Sequence, residues 1–205
     1  FVCAFIKAVD EYPELIRLAS SGPGNDFRLG ANEAPPAIVS IFLSKPVEDL
    51  LNNVISGKPA SYVKSGLTDF GLLSISELPK DSSDRNRTSP IAFTGNKFEF
   101  RMLGSSLNPS ELNTVINASL AKSLRDIADI LESHKYRQDV RKAALEICSD
   151  IFKKHKRVIF DGDGYSEDWI KEASKRGLPN LKTFVEAVPH MTSEKSIDLF
   201  TSLNV

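Results

Sequence analysis

Asn96-Lys97-Phe98-Glu99-Phe100-Arg101 is the stretch whose reading decides the fold. A β-strand sends alternate side chains to opposite faces. Read as a strand, the stretch aims Phe98 and Phe100 into a core and sets Lys97, Glu99 and Arg101 side by side on the other face. Two cations around one carboxylate suit two arrangements. One is a half-exposed strand with an ion pair of the common, weak surface kind. The other is a face that holds a metal ion next to an anionic substrate.

On the N-terminal side, Ile91-Ala92-Phe93 reads as a partner strand that turns at Thr94-Gly95-Asn96. Before it lies a polar loop, Lys80-Asp81-Ser82-Ser83-Asp84-Arg85-Asn86-Arg87-Thr88-Ser89-Pro90, with almost nothing apolar to bury. Its arginines could meet phosphate oxygens through their planar forks, or simply pair with Asp84. The hairpin would place this loop at one end of the sheet that carries Glu99. Residues 57–76 are mixed and read as a hairpin or loose strands. Pro46, Val47, Leu50, Leu51, Val54 and Ile55 mark a short helix, and the apolar run 37–43 a strand. A second polar loop, residues 25–36, is closed by Pro35-Pro36 and contains Arg28 and Glu33. It is either a plain connector or a functional loop on rigid flanks. Residues 3–20 read as one helix, because Phe5, Ala8, Val9, Tyr12, Leu15, Ile16 and Ala19 recur on one face.

On the C-terminal side the chain turns helical. Asn108-Pro109-Ser110-Glu111 opens a long helix with Leu112, Val115, Ile116, Leu120, Leu124, Ile127, Ile130 and Leu131 on a stripe. A second helix spans roughly 137–155, and the basic run Lys153-Lys154-His155-Lys156-Arg157 suits the negative end of its dipole. Asp161-Gly162-Asp163-Gly164-Tyr165-Ser166 begins like a calcium loop and then departs from it at Tyr165 and Ser166. It reads as a turn, with Ser166 capping a helix over 167–175. Two short helices follow, near 181–188 and 193–202. His134, His155 and His190 form no ligand spacing or catalytic set.

The formal net charge of −1 argues against a general nucleic-acid binder. No apolar run approaches a membrane span. The apolar start is followed at once by Lys7, Asp10 and Glu11, which is unlike a signal peptide, and Phe1 is expected not to be the natural start. Cys3 and Cys148 are far apart in sequence and fit a reducing compartment.

Three blocks taken together are more specific than any one: Arg28-Leu29-Gly30-Ala31-Asn32-Glu33-Ala34-Pro35, Asp84-Arg85-Asn86-Arg87-Thr88-Ser89-Pro90, and Asn96-Lys97-Phe98-Glu99-Phe100-Arg101. In order and spacing they resemble successive blocks of glutamine synthetase. The longer run Gly95–Met102 and the stretch 161–166 resemble its large type III branch. The resemblance implies a ligase that joins ammonia to glutamate, with ATP first forming a γ-glutamyl phosphate. It assigns Arg28 and Arg101 to the glutamate carboxylates and Glu33 to deprotonating ammonium. Arg87 would stabilise the transferring phosphoryl group, Lys97 and Arg85 would contact ATP, and Glu99 would ligate the Mg2+ or Mn2+ ion on the phosphates. Two departures stand out: Phe27 where that branch would carry a histidine, and Asp10-Glu11 where it is more basic.

The implied fold is α+β, an antiparallel curved sheet carrying the active-site face and packed with helices. Residues 1–107 would be the C-terminal part of the catalytic domain and 108–205 a helical C-terminal region. The implied protein is a cytoplasmic homo-oligomer of stacked rings, expected to be a dodecamer, with no nucleic acid or membrane partner. One carboxylate cannot hold two or more metal ions, so the chain is expected to be an internal window of a larger subunit and inactive alone. A related glutamate–amine ligase and a non-catalytic assembly or regulatory derivative are the alternatives.

Overall fold

The structure, a computed structural model, describes residues 1–31, 34–57, 67–68, 78–79, 89–133 and 139–205. The 96–101 stretch folds as expected. Strands β4 (Ile91–Phe93) and β5 (Phe98–Phe100) form an antiparallel hairpin with Phe93 opposite Phe98 and Ala92 opposite Glu99. Phe98 stacks on Phe5 with ring centroids 3.7 Å apart and packs against Phe93 at 5.0 Å.

The α+β class holds, but the sheet is not the antiparallel one expected. Strand β1 (Ile41–Phe42) pairs parallel with β4, which makes a three-stranded mixed sheet in the order β1-β4-β5. A helix-containing crossover separates β1 from β4, and such a connection returns the chain in the same direction. Helix α4 (Lys45–Ile55), with Pro46 in its first turn, lies in that crossover. Within it, β2 (Leu67–Thr68) and β3 (Leu78–Pro79) pair antiparallel. The other residues expected to be mixed over 57–76 lie outside the described ones, apart from Gly57.

The expected helix over 3–20 is two helices, α1 (Val2–Glu11) and α2 (Pro13–Leu18). Pro13 lacks the N–H that would continue the ladder, and the residue before a proline is driven out of the helical region. Tyr12 accordingly adopts φ −127°, ψ 41°. The helical face survives the break, and Phe5, Ala8, Val9, Tyr12, Leu15, Ile16 and Ala19 are all buried. Pro23 then starts another helix, α3 (Pro23–Arg28), inside what reads as a loop.

The C-terminal elements are α5 (Ser110–Glu132), α6 (Val140–His155), α7 (Glu167–Lys175), α8 (Phe184–Ala187) and α9 (Glu194–Leu203). Ser166 caps α7 through the Trp169 N–H, and the Asp163 side chain accepts the Tyr165 N–H, so 161–166 is a turn. Helix α1 packs on α5 and α6, and one buried core draws on residues from Cys3 to Leu199.

The basic run that closes α6 is not all solvated. His155 is buried, and its Nδ1 lies 2.7 Å from Asp10 Oδ2, while Arg157 Nε donates to Asp10 Oδ1 at 2.6 Å. Asp10 therefore has two partners that reach across from the other half of the chain, His155 in the interior and Arg157 at the surface. Lys153, Lys154 and Lys156 instead line an open cleft with Arg157, Arg176 and Glu48. Removing one member of a buried charged set leaves the others desolvated and unpaired. Asp10→Ala should lower the stability of the full-length protein by about 3 kcal/mol in chemical denaturation, and Asp10→Asn, which still offers an acceptor, by less.

Candidate active site

The site is built on α3, the segment after it and the β4-β5 hairpin. Helix α3 is held from beneath by Arg17, whose side chain is 1 % exposed. Its Nε donates to Leu181 O at 2.7 Å and Nη1 to Ser21 Oγ at 2.8 Å. Nη2 donates to Asp26 Oδ1 at 2.7 Å and to Lys182 O at 2.9 Å. The other oxygen of Asp26 accepts the Phe184 N–H at 2.7 Å. Burial pushes the Asp26 carboxyl up, but the hydrogen bonds from Arg17 and Phe184 outweigh it and hold the carboxyl below its ordinary value. Two segments of the C-terminal region thus fix α3 in place.

Asn25 then sets the direction of Arg28. The buried Asn25 amide donates to Ser20 O at 2.6 Å and Met102 O at 2.9 Å, and its Oδ1 accepts Arg28 Nε at 3.0 Å. Arg28 Nη2 donates to the same Met102 carbonyl at 3.0 Å. Gly104 makes this approach possible, since a Cβ there would sit 3.1 Å from the Asn25 side chain. Gly30, at φ +81°, turns the chain after α3, and its N–H donates to Ala34 O and Pro35 O. That φ is readily adopted by glycine.

On the strand, Glu99 lies between two cations as its alternation requires. Oε1 is 2.9 Å from Lys97 Nζ and Oε2 accepts Arg101 Nη2 at 3.0 Å. These hydrogen bonds, Lys97 first and Arg101 second, hold the Glu99 carboxyl below its usual range. It is ionised at neutral pH, and its side chain remains 34 % exposed.

Arg28, Leu29, Pro35, Ser89, Pro90, Arg101 and Met102 line one cleft. It encloses about 20 Å³, room for a single water molecule. The three sequence blocks therefore meet: Pro35 ends the block with Glu33, Ser89-Pro90 ends the block with Arg85 and Arg87, and Arg101 ends the strand. Ser89 is anchored by its own bonds, accepting from Ser40 Oγ at 3.0 Å and donating to Phe160 O at 2.9 Å. The Arg101 N–H donates to Pro90 O at 2.7 Å. Of the residues expected in a site, Arg28 and Arg101 line the same cleft, and Lys97 and Arg101 flank Glu99 along the strand. Glu33, Arg85 and Arg87 lie outside the described residues. Phe27 is exposed on α3.

Among the described residues there is no group of three or more His, Cys, Asp or Glu side chains placed to hold a metal ion. Glu99 is an ionised, accessible oxygen donor, which suits one position in the shell of a hard divalent cation. It does not make a whole metal site. No described helix is long and apolar enough to cross a membrane.

Comparison with known proteins adds the lineage. Residues 143–205 match the family model described as the glutamine synthetase C-terminal domain. The whole chain is 45 % identical to the Dictyostelium discoideum type-3 glutamine synthetase, over 205 residues. The chain belongs to the glutamine synthetase family, on its type III branch. Glutamine synthetases of Butyrivibrio fibrisolvens and Bacteroides fragilis (strain YCH46) are 40 % and 39 % identical over 98 % and 96 % of the chain. The chain spans 27–28 % of the length of these relatives.

The positioning residues, Arg17, Asn25 and Asp26, carry no sequence signal beyond polar residues flanking a proline. Their role depends on contacts 77–165 positions away. Arg17→Ala removes the donor shared by Asp26 and the carbonyls of Leu181 and Lys182. It should cost about 3–5 kcal/mol in chemical denaturation, with α3 losing hydrogen-exchange protection first.

Proposed function

We propose that this chain supplies the glutamate-binding and phosphoryl-transfer part of a glutamine synthetase, which joins ammonia to glutamate at the cost of ATP. The observation that carries the reading is the convergence of Arg28, Arg101 and the ends of both polar loops on one cleft. Similarity over the whole of this chain to part of a type-3 glutamine synthetase supports it independently.

Arg28 and Arg101 are suited to the carboxylates of glutamate, because guanidinium groups bind planar oxyanions with two parallel hydrogen bonds. Arg28 is preorganised for this by Asn25 and the Met102 carbonyl, so little ordering is needed on binding. The γ-carboxylate of glutamate attacks the terminal phosphorus of ATP, releasing ADP and leaving an acyl phosphate. Such transfers are catalysed mainly by positioning and by positive charge around the phosphoryl oxygens. We assign that charge to Arg87, with Arg85 and Lys97 toward ATP. Glu99 would hold Mg2+ or Mn2+, which neutralises charge on the phosphates when bound. Lys97 and Arg101 keep Glu99 ionised for that role. Glu33 takes a proton from ammonium, and ammonia then displaces phosphate from the acyl carbon to give the amide. The segment carrying Glu33 would also exclude water, which otherwise hydrolyses the acyl phosphate.

In this reading residues 1–107 complete the catalytic domain and 108–205 form its helical C-terminal region. The Arg17 and Asp26 bonds to residues 181–184 give the latter a task, which is to hold α3. The further metal ligands and the ATP pocket would come from other parts of the full-length subunit. The assembly would be a cytoplasmic ring oligomer, with a dodecamer the expected size.

In the full-length enzyme, Arg28→Ala should raise KM for glutamate by about 10–100-fold, the loss of one charge-assisted contact, with KM for ATP little changed. An unchanged glutamate KM would remove Arg28 from the site. Glu33→Ala should leave ATP binding intact and lower glutamine formation by about 10²–10⁴-fold, the range for a lost general base. Undiminished glutamine synthesis by that variant would end the assignment. Full activity with an alkylamine in place of ammonia would point to the related amine ligase.

A further inference from the structure

A basic cleft lies where the C-terminal ends of α6 and α7 meet one face of α4. Its cations are Lys153, Lys154, Lys156, Arg157 and Arg176, and it shares no lining residue with the cleft of Arg28 and Arg101. It is open and encloses about 450 Å³, within the size range of small-molecule sites. We propose that this cleft binds a small molecule carrying a diphosphate group.

The two arginines are fixed in place. Arg157 Nε donates to Asp10 Oδ1 at 2.6 Å, and its Nη1 to Gly177 O at 3.2 Å and Arg176 O at 3.4 Å. Arg176 Nε donates to Glu172 Oε1 at 2.9 Å, and its Nη1 to Ile159 O at 2.8 Å and Arg157 O at 3.3 Å. Each side chain thus braces the backbone that carries the other. Among the described residues, Nη2 of either arginine has no hydrogen-bond partner. Lys153, Lys154 and Lys156 are exposed and have no acidic partner among the described residues. The end of α6 amounts to about half a negative charge, which a single lysine offsets. The whole chain has a net charge of −1, so this local excess of cations is not a general property of its surface.

Flat guanidinium edges and flexible ammonium groups together suit several phosphate oxygens at once. One tetrahedral anion would fill a small part of the cleft, whereas two linked phosphates reach both the lysines and the arginine pair. Glu48 is the one carboxylate of the wall among the described residues, and it sets the direction. It repels the phosphates, and with Asn52, one helical turn away on α4, it can accept hydrogen bonds from hydroxyl or amino groups on the rest of the ligand. Phe152 and Ile159 give that part an apolar surface. The proposal rests on this wall and not on the catalytic reading.

The test is backbone hydrogen exchange of the full-length protein with inorganic pyrophosphate, without magnesium and at constant ionic strength. Pyrophosphate should slow exchange in peptides covering 150–160 and 172–178, which contain none of the residues assigned to the reaction. Lys153→Gln, Lys154→Gln and Lys156→Gln combined should weaken the affinity by about 10–100-fold, the loss of three partly exposed charge contacts. Glu48→Gln, which removes the repelling carboxylate, should tighten it by about 2–5-fold. ADP serves as the second probe. Tighter binding than pyrophosphate, with slowed exchange extending to 47–53, would support a nucleotide as the occupant. Equal affinity would support recognition of the diphosphate group alone. No slowing in these peptides at millimolar pyrophosphate would overturn the proposal. So would equal slowing by sulfate, or an undiminished response in the triple variant.

Discussion

A guanidinium without water around it must find its partners in the protein, and Arg17 finds all of them at the junction on which the site rests. Four hydrogen bonds from its side chain reach α3, the chain just after α2, and two carbonyls near residue 181. An unpaired charge in that position would be far too costly to keep. Each partner must therefore be in place when the others are. The start of α3, the course of the C-terminal region and the end of α2 become one geometric condition.

Precision at Arg28 follows from that condition. Asn25 is three residues before Arg28 on the same helix, and the Asn25 amide spans from Ser20 to Met102. Helix and hairpin are thus joined through one carbonyl, Met102 O, which also receives Arg28. Arg101 precedes Met102 in the chain. The two cations assigned to glutamate are set by neighbouring links of one network rather than by two independent loops. A site that must hold an anion in one orientation gains from such support.

The charges elsewhere obey the same rule with other outcomes. Lys97, Glu99 and Arg101 stay near the surface, where the ion pairs keep Glu99 ionised and accessible. Asp10 and His155 turn inward, and Arg157 reaches Asp10 from the surface, which holds α1 to the end of α6. Five consecutive residues of the basic run thus divide between a cleft wall and an interior bond. Charge alone does not decide that division. It depends on whether a carboxylate from another helix lies within reach.

What the sequence determined by itself is what depends on near neighbours. The alternation in 96–101 is enough to place Phe98 and Phe100 against the core and Glu99 between two cations, because strand geometry has a period of two. The buried face of α1 and α2 is legible through the break at Pro13, since periodicity reports the face and not the continuity of the axis. The turn at 161–166 and Ser166 as a cap are local chemistry and could be read directly. The order of the three polar blocks was visible too, and with it the family. Only the tertiary structure decided that β1 runs parallel to β4, that Arg17 and Asp26 brace α3, and that Asp10 holds His155 and Arg157. Each of these joins residues far apart in the chain. A side chain's type limits which partners it can accept, but packing alone determines which of them arrives.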